Sequence, residues 1–106
     1  MERTITLTDG EHVIKTPTYY GLQLIEENGG SQGSVVGRLP AIIAALLTDA
    51  EPLDDKGHPR KVHDPVVVAK SIPVDGTADA LWEAVGEILN SAMPDAPTTG
   101  ASDRPT

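Results

Sequence analysis

With 106 residues the chain has room for one small domain and not for two. It contains no cysteine, which excludes a disulfide framework and thiolate zinc ligation; sixteen acidic residues against eight basic ones give a formal charge of −8, which repels nucleic acid and anionic lipid. No apolar run approaches the ~18–20 residues that cross a bilayer, and Met1-Glu2-Arg3-Thr4 lacks the basic start and apolar stretch of a secretory signal, so a cytoplasmic location is expected.

Thr4-Ile5-Thr6-Leu7-Thr8 alternates apolar and hydroxyl residues, the period of a half-buried strand. Asp9-Gly10 follows, a dipeptide suited to a primed hairpin turn because glycine tolerates positive φ. Glu11-His12-Val13-Ile14-Lys15 then returns as the second strand, with Val13 and Ile14 packing and His12 at the surface. Two strands alone are marginal in water, so the apolar face of this hairpin needs a helix over it.

Thr16-Pro17 supplies a capping hydroxyl and a proline already near helical φ, and predicts a helix over Thr18 to Asn28 that Gly29-Gly30 ends. At 100° per residue Gly21, Leu22, Leu24 and Ile25 share one face, while Tyr19 falls among Gln23, Glu26 and Glu27 with Tyr20 at the border. Ser31 to Ser34 reads as a polar loop.

Val35 to Leu47 is the most apolar segment and its pattern is helical. Leu39, Ile42, Ile43, Leu46 and Leu47 form a wide stripe, Gly37, Ala41, Ala44 and Ala45 form most of the rest, and Arg38 is the one charge. A helix with almost no polar face is buried on more than one side. Either it is the central core helix, or its alanine side meets another chain. Pro40 predicts a kink or a later start.

Thr48 to Asp64 is polar, broken by Pro52, Gly57 and Pro59, and predicts a long mobile loop. Asp64-Pro65 can open a helix whereas Val66-Val67-Val68 favours a strand; a short helix over Pro65 to Ser71 is preferred, followed by a turn at Ile72-Pro73-Val74-Asp75-Gly76. Thr77 caps a last helix over Ala78 to Ala92, with Asp79 near the positive end of its dipole. Leu81, Val85, Ile88, Leu89 and Ala92 make its core stripe and Trp82 lies at the margin. Beyond Met93-Pro94 the composition is too polar to order itself. The expected architecture is therefore α+β: an N-terminal β-hairpin followed by a small, mainly helical bundle of three to four helices. One domain covers residues 1–93, with a mobile loop at 48–64 and a disordered tail at 94–106.

Residues that carry chemistry are few. His58 and His63 with Asp54, Asp55 and Asp64 are the metal-like residue types, but a spacing of five shares no helical face and the stretch is a loop. The serines have no nucleophile-elbow or Ser-x-x-Lys context. Gly29-Gly30-Ser31-Gln32-Gly33 follows a helix instead of a strand and lacks the lysine of a phosphate-binding loop. Glu26-Glu27 and Asp54-Asp55 are adjacent and stay solvated, and Arg60-Lys61 is offset by nearby aspartates. A non-enzymatic protein without metal or cofactor is expected. The candidate partner-contacting residues are Tyr19, Tyr20, Leu39, Ile43, Leu47 and Trp82, chosen for exposed aromatic character or for the aliphatic area of the middle helix.

The order of these elements carries a resemblance. A hairpin leads into Tyr20-Gly21-Leu22-Gln23-Leu24-Ile25-Glu26-Glu27-Asn28-Gly29, then into the aliphatic helix containing Leu39 to Leu47 and a C-terminal helix with a polar tail. This outline, over most of residues 3 to 93, resembles the small tail assembly chaperones of long-tailed phages and related gene-transfer particles, whose first helix has the form aromatic-Gly-x-x-x-Leu/Ile-Glu-Glu-x-x-Gly. Tyr20, Gly21, Leu24, Ile25, Glu26, Glu27 and Gly29 match that form; the long polar loop and Pro40 depart from it. The resemblance implies a protein of the host cytoplasm that binds the tape-measure protein, keeps its apolar helices from aggregating and helps recruit tail-tube subunits, with homo-oligomerisation left open. It also implies a ribosomal frameshift near the end of the gene, for which the polar stretch after Pro94 suits the junction. The alternative is another phage structural protein, such as a head–tail connector or tail-completion subunit, which would remain in the particle and form rings.

Overall fold

A computed structural model describes residues 1–29 and 35–92. The expected loop over Ser31 to Ser34 and the tail after Ala92 lie outside the described residues. Two antiparallel strands, β1 (Glu2–Leu7) and β2 (Gly10–Lys15), precede four helices: α1 (Tyr19–Glu27), α2 (Val35–Ala50), α3 (Pro65–Lys70) and α4 (Thr77–Ala92). The fold is thus the α+β hairpin-and-bundle arrangement that the sequence predicts.

The hairpin differs from expectation in its turn and in one face. Leu7 pairs with Gly10, so Thr8 and Asp9 form the tip, and Gly10 opens β2 at φ +133°. Thr8 N–H donates instead to the Ser71 carbonyl at 2.9 Å, tying the tip to the end of α3. Ile5 stands opposite His12 and Arg3 opposite Ile14, so His12 shares the inner face with Ile5, Leu7 and Ile14. Val13 points the other way and is 42% exposed, which corrects the expectation that it packs inward.

α1 starts two residues later than Thr16-Pro17 suggests. Thr16 Oγ1 lies 2.6 Å from Ser91 Oγ of α4, and Thr18 takes over the cap, accepting from Gly21 N–H. α2 continues through Pro40 and absorbs Thr48 to Ala50 from the expected loop; the proline removes one bond of the ladder without ending the helix. Thr48 is buried, and its hydroxyl accepts from His63 N–H at 2.8 Å. Asp54 organises the following segment: its carboxylate accepts from the N–H groups of Lys56 and His58, and Leu53 bridges to Pro59. At α3 the three valines resolve as a helix turn, with Asp64 accepting from Val66 N–H at its start and Val68 alone buried. At α4 the capping falls to Asp75, whose carboxylate accepts from both the N–H and the hydroxyl of Thr77.

α2 is the centre of the molecule. α1, α3, α4 and β2 all pack against it, while α4 also meets β1, where Arg3 and Glu87 form an ion pair. Its two candidate faces are both used: Leu39, Ile42, Ile43, Leu46 and Leu47 are buried, and so are Ala41, Ala44 and Ala45. The alanines leave no open side for another chain, so of the two sequence-based possibilities the central core helix is the one the fold adopts. Each large aliphatic side chain buried in this way contributes about 1.5–3 kcal/mol, which makes α2 the main source of cohesion in a domain of this size.

Candidate functional site

The six candidate partner-contacting residues separate into four environments. Ile43 and Leu47 belong to the core, at 0% and 5% exposure, and offer no surface to a partner. That corrects their sequence-based assignment: the stripe that made them candidates is filled by the chain's own elements. Leu39 is also buried, but it floors a groove whose rim includes Trp82. Tyr20 lines a second cleft, and Tyr19 stands outside both at 78% exposure.

The Trp82 groove has a volume of about 470 Å³. It lies between α2, which supplies Leu39 and Pro40, the α3–α4 connection with Ile72, Pro73 and Val74, and the start of α4 with Ala78 and Trp82. Trp82 packs one side against the core and leaves the other toward the groove, with the Arg38 guanidinium 6.0 Å from the ring centroid. Val74 is fully exposed. The two charged residues that line the groove, Asp75 and Asp79, are both acidic and exposed. The Thr77 hydroxyl, and after it the Thr77 N–H, hold the Asp75 carboxyl below the usual carboxylate range. Sequence reasoning read Ile72-Pro73-Val74 only as a turn; three apolar residues where turns are normally polar were the available signal.

The Tyr20 cleft, about 410 Å³, is bounded by Tyr20, Leu53 and Pro59 with Asp49, Glu51 and His58 around them. Beneath it α1 and α2 are joined by one carboxylate. Asp49 accepts from Thr18 N–H at 2.9 Å and from the Thr18 hydroxyl at 2.5 Å, placing negative charge at the start of α1, which has no acidic residue in its own first turn. A Cβ on Gly21 would stand 2.8 Å from Asp49 Cγ and 2.9 Å from Pro17 Cβ. The glycine of the Tyr20-Gly21 pair therefore has a packing reason in this fold: it lets the Asp49 side chain lie against the first turn of α1.

A smaller cavity of about 140 Å³ lies under the hairpin tip, where Asp9, His12, Lys61, His63 and Asp64 meet the apolar side chains of Leu7, Leu47 and Val68. His12 Nε2 is 2.9 Å from Asp9 Oδ1, and this hydrogen bond, the largest influence, keeps the Asp9 carboxyl low. His63 Nε2 is 2.9 Å from Glu51 Oε2. His58 borders the Tyr20 cleft instead, so the two loop histidines diverge. Among the described residues no three His, Asp or Glu side chains are placed to hold a metal ion together. Nor is any helix among them long and apolar enough to cross a membrane. What the described surface offers is apolar clefts with acidic margins. No family model matches the sequence, and neither a curated protein nor a solved structure is significantly similar to it.

Proposed function

We propose that the protein is a non-enzymatic tail assembly chaperone that binds the tape-measure protein of its particle, keeps it soluble and helps recruit tail-tube subunits in the host cytoplasm. The observation that carries this is the Trp82 groove, an open apolar surface that the described elements leave uncovered. The resemblance adds a hairpin ahead of helices in the family's order, and a Tyr20-Gly21 pair whose glycine is required where α1 meets Asp49. Binding energy comes from this surface, to which α2 contributes Leu39 and Pro40, and not from Ile43 and Leu47, which lie in the core.

Co-expression with the tape-measure protein encoded in the same genome tests this. The soluble yield of that protein should rise several-fold and the two should co-purify. An unchanged yield, with the 106-residue chain itself folded and abundant, would refute the assignment. A stable ring in isolation would instead favour a connector or tail-completion subunit.

A further inference from the structure

The composition of the Trp82 groove says more about its occupant than that it is apolar. Two of its walls are helices, α2 and α4, whose backbone groups are hydrogen-bonded within each helix except around Pro40 and in the first turn of α4. An extended segment laid there would find few partners for its own N–H and C=O groups, whereas a helix brings its backbone already satisfied and presents side chains at i, i+3, i+4 and i+7. Charge narrows the choice further. Asp75 and Asp79 edge the groove, and both are exposed. The cation on this side, Arg38, lies over the Trp82 ring. With a formal charge of −8 on the whole chain, an acidic segment would be repelled and a basic one drawn in.

We propose that this groove docks an amphipathic helix of a partner protein, with large aliphatic side chains on the face that enters between Leu39, Pro40, Val74 and Trp82, and lysine or arginine beside it facing Asp75 and Asp79. The inference rests on the protein being a partner-binding module, but not on the partner being a tape-measure protein.

Trp82 is the one tryptophan of the chain, so its fluorescence reports on the groove directly. The full-length protein is titrated with a synthetic Leu/Lys amphipathic helical peptide free of aromatic residues, and separately with the same peptide carrying glutamate at every lysine. The Lys peptide should shift Trp82 emission to shorter wavelength in a saturable way, as water leaves the ring, and the Glu peptide should bind at least about tenfold more weakly. Asp79→Lys should weaken the Lys peptide by about tenfold. Val74→Ser, at a fully exposed position on which folding does not depend, should weaken it several-fold with an unchanged circular dichroism spectrum. Absence of a saturable shift, equal affinity for both peptides, or unaltered affinity in both variants would overturn the proposal. So would an emission shift that follows protein concentration without peptide and coincides with dimer formation in sedimentation, because a second copy would then fill the groove. Peptide binding without any gain in tape-measure solubility would remove the chaperone assignment and leave the groove standing; the reverse outcome would remove the groove alone.

Discussion

Replacing Gly21 by alanine sets two well-defined effects against each other. In an open helix position the change stabilises by about 0.8–1 kcal/mol, because alanine loses less backbone entropy. Here the new Cβ would stand 2.8 Å from both Cγ and Oδ2 of Asp49 and 2.9 Å from Pro17 Cβ. To relieve that contact the Asp49 side chain must withdraw, and with it go the two hydrogen bonds from Thr18. Bonds to a carboxylate are worth about 1.5–3 kcal/mol when buried, but these are exposed, so roughly 1 kcal/mol each is the appropriate scale, close to the cost of losing an N-cap. Adding the strain against Pro17, Gly21→Ala should destabilise by about 1–2 kcal/mol, which for a domain of this size lowers the melting temperature by roughly 4–15 °C. Asp49→Ala should cost about the same through the lost bonds alone. Each single variant loses both Thr18 bonds, whereas the double variant loses them only once, so its cost should fall short of the sum by about 2 kcal/mol. Urea denaturation of the four proteins, followed by far-ultraviolet circular dichroism, measures this coupling. A Gly21→Ala protein more stable than the parent, or strict additivity in the double variant, would show that Asp49 does not lie against α1 in this way.

The remaining predictions concern the core, the loop anchor and acid stability. Ile43→Asp places a carboxylate at a position with 0% exposure and should abolish the native dichroism spectrum; a folded variant would mean that this face of α2 is open after all. Thr48→Val keeps the shape of a buried side chain but leaves His63 N–H without its acceptor, so it should cost about 1–2 kcal/mol and raise the hydrogen-exchange rate of that amide. The folded-state pKa of Asp75 lies below that of the unfolded chain, so the unfolded state binds the proton first: the stabilisation is complete above about pH 4 and is lost as pH falls through the folded value. Asp75→Asn should therefore flatten the loss of stability on acidification below about pH 5, and an unchanged acid profile would show that the Thr77 contacts do not persist in solution.

Periodicity and local turn chemistry determined the element order without help from tertiary structure. Ile5 and Leu7 alternate with threonines, so the hairpin was legible, as were α1 from its amphipathic face and α4 from its stripe of Leu81, Val85 and Ile88. These are properties of neighbours within one element, where spacing dictates which side chains share a face. The caps were less legible, because several hydroxyls and carboxylates compete for each helix start, and the partner that decides can be as distant as Ser91 or as near as Asp75. Thr16 was drawn away by Ser91, leaving Thr18 to cap α1, while Asp75 took the place expected of Thr77.

Only the tertiary structure decided what the apolar surface is for. The near-chargeless face of α2 could have met another chain as well as its own; the fold consumed it between α1, α3, α4 and β2 and removed Ile43 and Leu47 from any interface. The surface left open came from residues that no periodic pattern unites: Leu39 and Pro40 of α2, Val74 of a connecting turn and Trp82 of α4. Their common wall exists only after three separated segments have packed, since burial is settled by which elements meet and not by the hydrophobicity of any one of them.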